Sequence, residues 1–163
     1  MRVALLSDTH SPRRWKRCPT SVARVLDGAD AILHAGDVCL AETLDELAQF
    51  APVYAVRGNN DGADVAAWGA PETLQLELGG AQVAMIHDSG PAKGRAARLA
   101  RTFPTADLVV FGHSHIPWDE TVGSQRAVNP GSPTDRRRQP RATMAELLIR
   151  DDAAFDVRLI EVD

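Results

Sequence analysis

Five short stretches set carboxylate, amide and imidazole side chains directly after apolar runs: Asp8 and His10, Gly36-Asp37, Gly58-Asn59-Asn60-Asp61, His87-Asp88, and Gly112-His113-Ser114-His115. Asp8, His10, Asp37, Asn59, His87, His113 and His115 form a mixed oxygen and nitrogen donor set, which suits manganese, iron or zinc better than calcium. Seven donors exceed what one catalytic ion uses. Two ions roughly 3.5–4 Å apart and sharing a bridging carboxylate would employ them all. Taken singly, the residues have plainer readings: Asp37 could cap a helix beginning near Leu40, and Asn59 could turn the chain with Gly58. Four of the five histidines lie in these stretches. The fifth, His34, stands just before Asp37 and is expected to orient that carboxylate rather than bind metal.

The elements that must carry these loops follow from apolar periodicity. Residues 2–6, 31–34 and 53–56 read as short buried strands, and residues 20–26 and 40–50 as helices between them, stopped by Gly28 and Pro52. Strand, helix, strand, helix, strand at this spacing predicts right-handed βαβ units and a largely parallel sheet, whose ligands gather at the carboxyl ends of the strands. After Asp61 the pattern changes. Residues 73–78 alternate polar and apolar and meet residues 81–86 across Gly79-Gly80, a hairpin signature. Residues 91–101 predict a helix with Lys93, Arg95, Arg98 and Arg101 on its wet side, and residues 108–111 another buried strand. Two more hairpins are expected, one turning at Gly123-Ser124 and one joining residues 144–149 to 155–160.

At 163 residues with 44% hydrophobic content, the chain is long enough for one domain, 1–163, with a sizeable core. No apolar stretch approaches a membrane span and no leader pattern opens the sequence, so a soluble cytoplasmic protein without a membrane partner is expected. Cys18 and Cys39 lack the spacing of a zinc knuckle and read as reduced structural thiols. The net charge of −4 argues against nucleic-acid binding through overall charge. Basic residues are nevertheless clustered, as Arg13, Arg14, Lys16 and Arg17 and as Arg136, Arg137, Arg138 and Arg141. Either cluster could face a polyanionic substrate or simply be a solvated loop. Trp15 and Trp118 follow the first and last ligand stretches and could line a cleft or pack in the core.

Together, Asp8-x-His10, Gly36-Asp37, Gly58-Asn59-x-Asp61, a single His87 after a strand and Gly112-His113-x-His115 resemble the calcineurin-like metallophosphoesterase superfamily in order and spacing. The likeness runs from Arg2 to Asn129-Pro130-Gly131-Ser132, which resembles a loop of the small single-domain phosphodiesterases of that family. The resemblance implies an α/β fold of two β-sheets packed face to face and flanked by helices, an αββα sandwich. It also implies that Asp8, His10 and His115 hold a first divalent ion, most readily Mn2+ with Fe, Zn, Ni or Co as alternatives. Asp37 would bridge, and Asn59, His87 and His113 would hold a second ion.

The chemistry so implied is in-line attack on phosphorus by a metal-bridging hydroxide, with Asn59 and His113 in catalytic positions and Asn60 and Asp61 touching substrate. Two departures bear on specificity. Many relatives place a histidine that protonates the leaving group where this chain has Asn60, and His-Gly-His where it has His87-Asp88-Ser89. Without that proton donor, a phosphodiester or nucleotide with a leaving group of low pKa is favoured over a simple monoester. Nucleic acid and a homo-oligomer remain open as partners. The rival expectation is a protein-binding scaffold of the same fold, like the retromer subunit. A scaffold is free to lose ligands, and here all seven positions are filled.

Overall fold

The first strand shows how the computed structural model, described here over residues 1–162, is layered. β1 (Arg2–Leu6) is apolar and buried from Val3 onward because both its faces are covered. Val3 and Leu5 enter one core cluster, while Ala4 and Leu6 enter another. β1 pairs in parallel with β2 (Ala31–His34), and β2 with β3 (Val53–Ala55). With the antiparallel β9 (Thr143–Ile149) and β10 (Phe155–Glu161), they form a five-stranded sheet of order β10-β9-β1-β2-β3. A second sheet has the order β4-β5-β6-β8-β7, from β4 (Thr73–Leu78), β5 (Ala81–Ile86), β6 (Leu108–Val110), β7 (Trp118–Val122) and β8 (Gln125–Asn129).

The sheets face each other across one core, where Val3, Leu5 and Leu33 meet Val83, Met85 and Val110. Helices α1 (Thr20–Leu26), α2 (Ala41–Leu47) and α3 (Ala63–Trp68) cover the outer face of the first sheet through Leu26, Leu44 and Val65. α4 (Arg95–Thr102) covers the second through Leu99, against Val109 and Phe111. Each fully buried Leu, Ile or Val contributes about 1.5–3 kcal/mol, so these three clusters supply the main driving force. The expected sandwich of two sheets flanked by helices is present.

Differences from the sequence reading have local causes. α2 stops at Leu47, short of the expected residue 50, and Phe50 is exposed. α3 escaped notice because six residues are too few to show a period; it ends at Gly69, whose φ of 111° no ordinary residue adopts readily. α4 begins late, because Gly94 takes φ 72° and leaves residues 91–94 outside the helix. Nor do its arginines all face water. Arg95 lies over the rings of Phe111 and Trp118, 5.0 and 5.2 Å from their centres, and Arg98 donates to the carbonyls of Ser89 and Pro91. Trp118 is thereby a packing residue, and Trp15 is buried in the core with Nε1–H donating to Glu46, its edge bordering a cavity of about 290 Å³ with Ser11, Lys16 and Leu40. Among the described residues, no helix is long and apolar enough to cross a membrane.

Candidate metal centre

β1, β2 and β3 run parallel in one sheet, and β5, β6 and β8 run parallel in the other. Their carboxyl ends meet at one edge of the sandwich. Asp8 follows β1, Asp37 follows β2, Asn59 follows β3, His87 follows β5 and His113 follows β6. The two sheets are tied there directly: the backbone N–H of His113 donates to Asp8 Oδ2 at 3.0 Å, and His87 Nδ1–H to the carbonyl of Ala35 at 2.8 Å.

All seven expected donors converge. His10 Nε2 and His115 Nε2 lie 3.1 Å apart on stacked rings, and Asp8 Oδ1 is 3.3 Å from His115 Nε2 and 3.9 Å from His10 Nε2. Asp37 spans two groups, with Oδ2 3.6 Å from His10 Nε2 and Oδ1 3.4 Å from His87 Nε2. Asn59 Oδ1 completes the second group, 3.2 Å from His87 Nε2 and 2.9 Å from His113 Nδ1. Ligands about 2.1 Å from a shared ion stand about 3.0–3.4 Å apart, and the spacings here, 2.9 to 3.9 Å, bracket that range. The decisive atom is Asp8 Oδ1. It is buried, it has no hydrogen-bond partner, and two imidazole nitrogens face it. An uncompensated buried carboxylate oxygen is costly, and a divalent cation at this point resolves it. The residues therefore fit a metal.

Ring orientation is set from behind. Nδ1–H of His115 donates to the carbonyl of Asp135, and that of His87 to Ala35, so in each ring Nε2 is the nitrogen turned to the centre. Asp8, His10, Asp37, His113 and His115 all have positive φ, between 49° and 69°. Left-handed backbone at five non-glycine ligands is strain that the surrounding hydrogen bonds must sustain. Two glycines permit the loops to approach. A Cβ at Gly58 would stand 2.1 Å from Asp37 Oδ1, and one at Gly112 2.9 Å from Asp8 Oδ2.

Electrostatics prepares the donors. Burial works against a charge on Asp37, but hydrogen bonds from His87 and Asn60 prevail and hold its carboxyl well below the usual range. Burial also opposes charge on His87, where the Asp37 bond and the Asp8 charge win and raise the imidazole. His10 is shifted the other way, since burial lowers it more than Asp37 and Asp8 raise it. Cys39, with Sγ 3.6 Å from His10 Nδ1, is pushed up to about 12 by burial and by Asp61, Asp37 and Asp8, so it stays a thiol; neither cysteine is in a disulfide.

Two sequence assignments change. His34 does not orient Asp37: it is fully buried, and its Nε2 lies 3.1 Å from Thr9 Oγ1, which steadies the loop between Asp8 and His10. Asp61 was expected to touch substrate, yet its carboxylate turns inward and accepts from the backbone N–H groups of Asp37, Cys39 and Gly58 at 2.9, 2.6 and 2.7 Å. It braces the loops. Asn60 stays exposed while its backbone and side-chain N–H groups donate to Asp37 at 2.9 and 2.7 Å.

Sequence reasoning also missed the segment after β8. Ser132 Oγ–H donates to the carbonyl of Asp8, Thr134 Oγ1–H to that of Thr9, and Asp135 receives His115. The resemblance at Asn129 to Ser132 pointed toward this loop, but nothing marked Thr134 and Asp135 as part of the centre. Two cavities flank the site. One, about 380 Å³, includes Arg57, Glu72, Ile86 and Asp88 beside Asn59 and His113. The other, about 270 Å³, is lined by His10, Arg13, Arg14, Asn60, Asp135 and Arg137.

Residues 1–152 match the family profile described as the Calcineurin-like phosphoesterase superfamily domain. A probable metallophosphoesterase of Methanothermobacter thermautotrophicus is 31% identical, over 98% of this chain and 92% of its own length. Among solved structures, wild-type Vps29 of Entamoeba histolytica complexed with zinc superposes with a TM-score of 0.77, at 24% identity and 100% coverage of both chains. A structure described as a novel archaeal phosphodiesterase superposes with a TM-score of 0.74, at 18% identity, over 98% of this chain and 100% of that one.

Proposed function

The chain belongs to the calcineurin-like phosphoesterase superfamily, and we propose that it hydrolyses phosphodiesters with two divalent ions, manganese foremost, bound at the convergent loops. The observation that carries this reading is the pair of donor groups joined by Asp37, with the orphaned Asp8 Oδ1 at their centre. Asp8, His10 and His115 would hold one ion, Asn59, His87 and His113 the other, and Asp37 both. Ions bound there supply a water made acidic near neutral pH and positive charge beside the phosphoryl oxygens.

The chain's own residues do the rest. Asp37 is kept ionised and so holds its position between the groups. Asn59 turns its side-chain oxygen to His87 and His113, which leaves its amide N–H groups to donate to a phosphoryl oxygen as charge gathers there. His113 and Asn59 are exposed beside the larger cavity, where a phosphoryl group enters. Asn60, at the rim of the smaller cavity, is placed to touch substrate while it holds Asp37.

Diester preference rests on what is missing from the leaving-group side. Asn60 cannot give up a proton, and Asp61 is engaged by backbone amides. A leaving group that departs unprotonated reacts best. The archaeal structure described as a phosphodiesterase is in keeping with this preference.

The second reading is a protein-binding scaffold, favoured by the likeness to Vps29. Because that Vps29 holds zinc, metal binding alone does not separate the two. Hydrolysis of bis(p-nitrophenyl) phosphate does. Chelator-stripped protein should be inactive and should regain turnover with manganese, while Asp37→Ala and His113→Ala should not. Metal-bound, folded protein with no turnover for any of manganese, iron, cobalt, nickel or zinc would favour the scaffold.

A further inference from the structure

The two cavities beside the metal centre differ in charge. In the larger one, Arg57 is paired with Glu72 at 3.5 Å and Asp88 adds a further negative charge. That side repels a second anion. The smaller one carries Arg13, Arg14 and Arg137 against the single carboxylate of Asp135, which lies 3.6 Å from Arg14 Nε and 3.9 Å from His115 Nδ1. Among the described residues, Arg13 and Arg137 have no ion-pair partner. In a chain of net charge −4, this is a concentration of positive charge within one wall of the metal ligands, since His10 lines the same cavity.

The placement is built in. Arg137 belongs to the segment after β8 that Ser132 and Thr134 fasten to the carbonyls of Asp8 and Thr9. Arg13 and Arg14 follow His10 after Ser11 and Pro12, and Arg14 N–H donates to the His10 carbonyl at 2.8 Å. Arg136 and Arg138 of the same basic run do not line the cavity, and Arg136 is turned to the carbonyl of Gln139. The arginines also come from two separate loops, and forked guanidinium donors suit a tetrahedral anion.

We propose that this cleft binds a second phosphate group of the substrate, on the His10 side of the phosphate that is cleaved. The substrate class is then a phosphodiester carrying a further phosphate, with its organic part directed to the larger, less cationic cavity. This rests on the hydrolase reading and narrows it.

The test compares binding of thymidine 5′-monophosphate, thymidine 5′-diphosphate and thymidine 3′,5′-bisphosphate to the manganese-loaded protein by calorimetry, with bis(p-nitrophenyl) phosphate turnover measured in parallel. At least one of the two-phosphate ligands should bind about tenfold more tightly than the monophosphate. Arg13→Gln combined with Arg137→Gln should bring that ratio close to one. Lys16→Gln, which removes an exposed charge outside the cleft, should leave it unchanged. The gain should also shrink as salt rises. Equal affinity for all three ligands, or a ratio that survives loss of both arginines, would overturn the assignment. The parallel assay keeps the two readings apart. Turnover with a ratio of one sinks only the cleft, whereas an arginine-dependent ratio without turnover sinks only the hydrolase.

Discussion

Asn60 shows how one side chain can govern a centre without being one of its seven donors. Its side-chain amide fixes Asp37 Oδ2 at 2.7 Å, so Asn60→Ala should loosen that oxygen while keeping all seven donor side chains and the backbone bond to Asp37 Oδ1. Partners of this kind typically carry about 10–100-fold of metal affinity. A manganese titration of the variant should show a loss in that range with an unchanged unfolding midpoint. The ligand identities were legible at this scale, because imidazole, carboxylate and amide declare their chemistry by type. The bracing was not. Asp61 binds backbone N–H groups, and His34 binds Thr9 rather than Asp37; partners of this sort leave no mark in the sequence. The positive φ at Asp8, His10, Asp37, His113 and His115 was equally invisible, since none of these residues advertises a left-handed backbone.

At the scale of elements, loops press together tightly enough that single atoms matter. Gly58→Ala would set a methyl carbon 2.1 Å from Asp37 Oδ1 and 2.4 Å from its backbone nitrogen, neither of which can yield without moving the strand end. A loss of about 1–3 kcal/mol in denaturant unfolding, together with weakened manganese binding, is expected. Trp15→Phe separates stability from activity. It removes the 2.7 Å bond from Nε1–H to Glu46 in a residue that is none of the seven donors, and should cost about 1–3 kcal/mol while kcat/KM is kept. The strands were readable because β6 is apolar throughout, β1 and β2 carry apolar runs broken only by Arg2 and His34 at an end, and β4 alternates. Helix limits were not. α3 is one and a half turns held by Val65 and by Trp68 Nε1–H on Asp45, and such tertiary contacts outweigh local propensity.

At the scale of the whole molecule, the site exists only because two sheets present their parallel carboxyl ends to one edge, so site integrity and global stability are coupled. His34 makes that coupling sensitive to pH. Burial lowers its imidazole from the ordinary 6.5 to about 4, so between those values the unfolded chain binds the proton and the folded chain does not. Its contribution is present in full above about pH 6.5 and is lost as pH falls toward 4. The loss is at most about 3–4 kcal/mol. Denaturant unfolding of metal-free protein from pH 7 to 4 should show this decline, with a shallower slope for His34→Gln.

The central claim is that two ions occupy the convergent loops and that hydrolysis requires both. Manganese should be titrated into chelator-stripped protein while binding stoichiometry and bis(p-nitrophenyl) phosphate turnover are recorded on the same samples. The account predicts two equivalents per chain, with turnover rising as the second binds and absent in Asp37→Ala. A single equivalent that suffices for full turnover, or hydrolysis that persists in the stripped protein, would contradict it.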